Sequence, residues 1–385
     1  MRTEPVKDLR QLLLLLGLLV LGLTSCVAID PRSKSVAGAS AIDVPAGVSA
    51  TTSATATTTP IVDYRERFLP IVARNGMVAG PEQLAAEVGA QILRQGGNAV
   101  DAAVATGFAL AVTYPRAGNL AGGGFMLIHL ADENRQTLID YRETAPAAAS
   151  RDMFLDAQGN LDHEKEYFSL QAAGVPGTAA GLLYALEKYG TLSREQVLAP
   201  AIALAREGLP VSFGLAFEID AGAARLRRNP AAAQLFFRAD GAPYAMGDTW
   251  RQPDLAWTLG EIRDHGTAGF YAGEVARRIT AEMVAGGGLI TARDLADYRV
   301  VERAPVRGTF RGFEIVSAPP PSSGGVHIVQ MLNILEGVDL RTLGHNSAAY
   351  LHYLTESMKL AYADRSLYLG DPDYVAVPVA QLTDK

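Results

Sequence analysis

The sequence predicts an α+β fold, and three observations carry that reading. Two short apolar runs, Phe125 to Leu130 and Gln136 to Tyr141, flank the turn residues Asp132-Glu133-Asn134, the pattern of paired strands. Between 151 and 300 apolar residues recur at helical spacing behind N-cap signals. From Val300 to Ala318 the composition turns strand-like again, with Gly308 and Gly312 as turn candidates. The 385 residues, 49% apolar and 19% charged, suffice for one large or two ordinary domains. A net charge of −7, with the basic residues scattered, argues against nucleic acid as a partner. One cysteine precludes an internal disulfide. Six histidines without HExxH or a Cys/His cluster give no metal-ligand spacing, so no metal site is expected.

Residues 1–25 read as a targeting segment. Arg2, Lys7 and Arg10 form a basic start, and the apolar run Gln11 to Thr24 falls short of the roughly 20 residues that span a bilayer. Leu23-Thr24-Ser25-Cys26 resembles the bacterial lipobox, whose cysteine is diacylated and becomes the new N-terminus. The alternative is an ordinary signal peptide with a chance cysteine. Val27 in place of Asp implies delivery to the outer membrane, facing the periplasm, with a soluble periplasmic protein as the alternative. Residues 26–61, rich in Ala, Ser and Thr, offer little to bury and read as a disordered tether. Such a coil spans roughly 30 Å.

The folded body is expected over 62–385. Gly76 to Ala79 looks like a strand, and Pro81 to Arg94 has a helical period that Gly96-Gly97 ends. Asn98, with Asp101 three positions on, caps a second helix from Ala99 to Val112 that is apolar nearly all round and therefore buried. Ser193 with Gln196, and Thr291 with Asp294, approximate capping boxes. Gly174-Val175-Pro176-Gly177 is a turn before a helix starting near Thr178. Helical spacing recurs over 198–207, 253–265 and 272–285. The turn Pro319 to Gly325 feeds a helix through Leu335, and a last helix runs from Ser347 to about Leu369.

The functional reading centres on Gly118 to Pro146. Gly122-Gly123-Gly124 lacks Cβ atoms, so this backbone can take positive φ and approach other groups closely. Arg142 emerges at the end of the second strand, where an always-charged planar fork suits a carboxylate. An ion pair with Glu143 or another carboxylate fits the same residues equally well.

AGNLAGGGFML followed by DYRETAPA resembles the γ-glutamyltransferase (γ-glutamyltranspeptidase) family of N-terminal-nucleophile hydrolases. GGNAVDAAVA at 96–105, GVPGTAAGL at 174–182, GGLITARDLADY at 287–298, PPPSSGGVH at 319–327 and YADRSLYLGDPDY at 362–374 follow in the family's order. Ala121 departs from the family's usual glycine. The resemblance implies a four-layer αββα sandwich whose central sheets draw strands from a large and a small subunit. It also implies that Arg142 binds the α-carboxylate of a γ-glutamyl donor such as glutathione, with Glu143 supporting that arginine or the donor's ammonium. The family's precursor cuts itself before a threonine, which then acts as nucleophile with its own α-amino group as base. Water, an amino acid or a peptide takes up the acyl group. This chain matches the large-subunit side, so the resemblance places that threonine beyond Lys385 and assigns no catalytic residue within the chain. Alone, the chain is expected to be poorly soluble and catalytically silent.

Other chemistries find less support. No serine sits in Gly-x-Ser-x-Gly, and no P-loop or complete Gly-x-Gly-x-x-Gly occurs. Ser322-Ser323 with His327 could form a nucleophile pair, or simply order a helix N-terminus. A related acylase of the same fold and a non-catalytic envelope lipoprotein remain rival readings.

Overall fold

The computed structural model describes residues 71–385. The expected leader, Cys26, the tether and residues 62–70 lie outside the described residues. Gly76 to Ala79 forms no ladder, in contrast to the expected strand. Instead Val78 packs where a side chain at Gly89 would have to go, so this extended segment is held by a helix rather than by a partner strand.

Helix α1 spans Gln83–Arg94 and α2 spans Ala99–Thr113. Gly96 between them takes a φ of +91°, a left-handed value that ends α1 where the Gly pair predicts. As its composition demands, α2 is buried almost throughout, with Val104, Ala105, Phe108, Ala109 and Val112 wholly enclosed. Burial of Phe108 alone contributes about 1.5–3 kcal/mol.

The strands follow: β1 is Phe125–Leu130 and β2 is Arg135–Asp140, paired antiparallel from Phe125↔Asp140 to Leu130↔Arg135. A helical block comes next, with α3 at Thr178–Tyr189, α4 at Arg194–Glu207, α5 at Pro253–His265, α6 at Glu274–Gly286 and α7 at Ala292–Asp297. Both expected capping boxes close, Ser193 with Gln196 and Thr291 with Asp294. Strand β3, Val301–Arg303, pairs antiparallel with β2 and completes a three-stranded sheet in the order β1-β2-β3.

Ala304-Pro305 then carries the chain to a separate hairpin, β4 at Val306–Phe310 and β5 at Phe313–Ser317. Its turn is Arg311-Gly312, with φ of +49° and +87°. Gly308, expected at a turn, lies within β4. Its missing side chain makes room for Val329 of α8, Gly324–Glu336. Helix α9, Ala348–Tyr368, packs on α8, and the chain ends in a short turn of helix at Val379–Leu382.

Two cores result. The large one joins α1 to α7 to one face of the three-stranded sheet through Ile128 and Ile139. The small one, Val306, Val326, Val329 and Leu382, joins the β4-β5 hairpin to α8. On the other side of β4, Arg307 donates to Gln136 of β2 at 2.5 Å. The order of layers is thus helices, sheet, sheet, helices, a mixed α and β architecture in the expected αββα sequence. The outer layer is lightly covered: α9 buries only Ser357 and Ala361, while Leu360 is 56% and Leu367 73% exposed.

Asp101 ties the helical layer together. Fully buried, it accepts from Asn98 N at 2.8 Å, Thr191 N at 2.9 Å, Thr191 Oγ1 at 2.7 Å and Leu192 N at 3.1 Å. Burial pushes its pKa up, but the hydrogen bonds from Thr191, Asn98 and Leu192 outweigh it and hold the carboxyl below its ordinary value. A lowered folded-state pKa gives stability that is present above the unfolded value, about 3.9, and lost as pH falls through the folded one. Asp101→Asn should therefore lower unfolding free energy by about 1–3 kcal/mol at pH 7. In denaturant titrations the gap to the parent protein should narrow below about pH 4; a gap independent of pH would exclude this assignment.

Candidate functional site

The end of β2 lies between two glycine-bearing segments. Gly124 and Tyr141 exchange backbone hydrogen bonds, at 2.9 and 3.3 Å, that extend the β1-β2 ladder past its regular end. On the other side Thr144 and Val175 pair as an isolated antiparallel bridge. The amides of Gly177 and Thr178, at the start of α3, both donate to Gly122 O at 2.8 and 3.0 Å. Residues 122–124, 140–144 and 174–178 are knitted into one backbone unit.

Glycine is required here for close approach. A Cβ on Gly177 would lie 1.9 Å from Tyr141 O, and one on Gly123 would lie 2.5 Å from the same atom. Positive φ, the other expected use of the glycine run, is absent from Gly122, Gly123 and Gly124. The run serves contact, and its φ values are ordinary.

Arg142 leaves this unit at its exposed edge. Its N–H donates to Asp140 Oδ1 at 3.1 Å, and its carbonyl accepts from Tyr298 Oη at 2.9 Å. The backbone is therefore held on both sides while the side chain is free to reach outward. Among the described residues, no carboxylate forms an ion pair with its guanidinium, and the alternative pairing with Glu143 is not formed. Glu143 sits beside it, its Cβ against Gly174 and its Oε1 3.5 Å from the position a Cβ on Gly122 would take.

Both residues open onto a cleft of about 780 Å³. Its opposite walls are Ser322 and Ser323 from the turn before α8, and Tyr362, Arg365 and Ser366 from α9. Arg299 and Arg303 reach in from the segment around β3. Arg299 is engaged with the carbonyls of Ala296 and Tyr298, each at 2.7 Å. The Arg303 guanidinium binds Asp140 at 2.7 Å and Asp373 at 2.6 and 2.9 Å. These carboxylates strengthen its hold on its proton, and Arg303 in turn holds Asp373 below the usual carboxylate range. Of the arginines lining the cleft, Arg142 and Arg365 form no ion pair among the described residues; Arg365 lies over the Tyr362 ring, 5.7 Å from its centroid, and Arg142 stands exposed at the end of β2, where a fork suits an anion.

The serine pair does not assemble a hydrolytic site. Ser322 Oγ accepts Gly324 N at 3.3 Å, the turn-ordering role, and His327 meets the pair only through its backbone N–H, which donates to Ser323 O at 3.1 Å; no side-chain hydrogen bond joins its ring to either serine. His327 is buried beside Tyr362, with ring centroids 5.8 Å apart. Burial, then Arg365, push its pKa down, which keeps the ring neutral near pH 7. Cys26, the expected lipid anchor, lies outside the described residues.

Sequence reasoning missed Asp140, Tyr298, Arg303 and Asp373 as the frame of Arg142. Asp140, Tyr298 and Asp373 fall within the quoted blocks, but nothing local links Arg303 to Asp140 across 163 positions or to Asp373 across 70. The available signal was an acidic residue two places before Arg142, on a strand end that otherwise buries apolar side chains.

Comparison with known proteins follows the same blocks. The family model described as Gamma-glutamyltranspeptidase matches residues 85–385. The chain is 50% identical over 329 residues to the glutathione hydrolase proenzyme of Escherichia coli K12, covering 85% of this chain and 57% of that protein. It is 42% identical over 331 residues to the acylase ACY 1 proenzyme of Pseudomonas sp. strain V22, covering 84% of this chain and 59% of that protein. The crystal structure of Helicobacter pylori γ-glutamyltranspeptidase superposes with a TM-score of 0.80 at 45% identity, covering 82% of this chain and 90% of that chain. The chain thus spans a little over half the length of these curated relatives, and shares the mixed helix-and-sheet fold of the solved transpeptidase. With most of its described length matched, the chain belongs to the γ-glutamyltranspeptidase family.

Proposed function

We propose that this chain forms the large-subunit part of a γ-glutamyltransferase that cleaves γ-glutamyl amides such as glutathione. The observation that carries the reading is Arg142: an exposed guanidinium without a carboxylate partner among the described residues, on a backbone held by Asp140 and Tyr298 at the mouth of a cleft. Its fork binds the donor's α-carboxylate through two hydrogen bonds and so fixes the direction of the γ-carbonyl. Glu143 lines the cleft beside it and, in this reading, supports that arginine or takes the donor's ammonium. The reaction follows from the family resemblance. A threonine hydroxyl attacks the γ-carbonyl, its α-amino group takes the proton, and the amine leaves; water or an amino group then releases the γ-glutamyl ester.

The partner in this reading is a small subunit cut from the same precursor and carrying that threonine. Two observations support it. The matched relatives of E. coli and Pseudomonas are named proenzymes, and the matched region covers only 57% and 59% of their lengths. The outward side of α9 carries Leu360 and Leu367, seven residues apart on one face and each more than half exposed, a face suited to a further layer of protein. Residues 71–385 produced alone should self-associate and bind a hydrophobic dye, and production with the remainder of the precursor should suppress both. A monodisperse chain without dye binding would exclude this use of the face.

A second reading has an observation of its own, the 42% identity to the acylase. A glutaryl side chain carries the same terminal carboxylate and would use the same arginine, but lacks the ammonium. Relative turnover of γ-glutamyl and glutaryl anilides separates the two activities.

Export with lipid attachment at Cys26 belongs to the same proposal, supported by the Leu-Thr-Ser-Cys sequence. Mass spectrometry of the mature N-terminus should find diacylated Cys26, and cleavage elsewhere would rule the anchor out. For the donor site, Arg142→Ala in the complete enzyme should weaken γ-glutamyl donor binding by about 2–5 kcal/mol. The effect should be read as a raised KM, with 4-aminobutyryl donors, which have no α-carboxylate, unaffected. An unchanged KM would remove Arg142 from the site.

A further inference from the structure

Strands β2 and β3 run antiparallel, with Leu138 opposite Arg303 and Asp140 opposite Val301. Asp140 and Arg303 are thus diagonal neighbours on one face of the sheet. The Asp140 carboxylate is shared: Oδ1 accepts Arg142 N–H at 3.1 Å, and Oδ2 accepts Arg303 Nε at 2.7 Å. The far side of the same guanidinium closes on Asp373, Nη1 to Oδ1 at 2.9 Å and Nη2 to Oδ2 at 2.6 Å. Asp373 belongs to an ordered turn in which Asp371 Oδ1 accepts its N–H at 3.0 Å and Asp371 O accepts from Tyr374 and Val375.

We propose that Arg303 is a positioning residue for Arg142, and that the Asp371–Val375 turn is the latch that fixes it through Asp373. The inference rests on the donor-binding reading of Arg142. Arg303 and Asp140 have side chains only 14% and 7% exposed, so neither charge can turn to water if the other is lost. With Arg303 unlatched, Asp140 loses the partner that holds its second oxygen, and with it the orientation in which the first meets the Arg142 amide. A two-point contact between guanidinium and carboxylate is sensitive to displacements of about 1 Å. Lysine cannot replace Arg303, because Nε and both Nη atoms are used in two directions and an ammonium offers no such fork.

Asp373 is the informative site for a test, since its side chain is half exposed and its loss need not unfold the chain. The complete, processed enzyme would be assayed with γ-glutamyl and 4-aminobutyryl anilides, as substrates or, where turnover is slow, as competitive inhibitors. Asp373→Asn should raise KM for the γ-glutamyl donor about tenfold, a change of roughly 1.4 kcal/mol. It should leave kcat and the constants for the 4-aminobutyryl compound unchanged. Arg303→Lys should act in the same direction and more strongly. The proposal is overturned if both variants keep the parental ratio of the two donors while Arg142→Ala collapses it, or if both donors weaken equally. Should Arg142→Ala itself leave the ratio intact, the donor-site reading fails and this inference falls with it.

Discussion

The site depends on one close contact, that of Tyr141 O with the glycines on either side of it. No side chain fits at Gly123 or Gly177 without meeting that carbonyl. Because both are glycine, the β1-β2 ladder, the glycine run and the start of α3 come within hydrogen-bonding distance of one another. Arg142, the next residue, inherits a backbone that is already placed. That placement is supplied by main-chain packing and does not draw on the guanidinium, which forms no ion pair among the described residues.

Arg142 and Arg303, both on the cleft, sit in opposite environments. Arg303 is largely enclosed and meets two carboxylates, one buried and one half exposed, so the cost of desolvating it is offset by bonds at Nε and both Nη atoms. Arg142, an exposed residue, has no such partners among the described residues. The pairing of Arg303 with Asp140 also explains why an acidic residue is tolerated at the end of β2, beside Leu138 and Ile139, which are almost wholly buried. Asp140 is satisfied from both sides, by an amide and by a guanidinium.

The layers differ in how fully they are packed. The helical block around α2 is dense, and Asp101 bridges the start of α2 to the loop after α3 with four hydrogen-bond donors. The second core around β4, β5 and α8 is small, and the outer helix α9 presents large apolar residues to the surface. The cleft lies at the junction of the two regions, with a wall from each. Its shape therefore depends on how the weaker half is seated, and the Asp373 turn is one of the few direct ties between them.

The residues by themselves determined the local structure. Short apolar runs and turn chemistry placed β1 and β2, capping residues placed the starts of α2, α4 and α7, and the ordered blocks named the family and singled out Arg142. These are properties of short windows, in which spacing and side-chain chemistry act directly on the backbone. What only the tertiary structure decided was long-range. Gly76 to Ala79 stays unpaired because a strand needs a partner that its own sequence does not supply, and Gly308 serves packing because Val329 arrives from another element. Arg142 and Arg303 are alike in sequence. Only folding brings Asp140 and Asp373 to Arg303 and leaves Arg142 on the cleft with no carboxylate partner among the described residues, because those contacts join positions 70 and 163 residues apart.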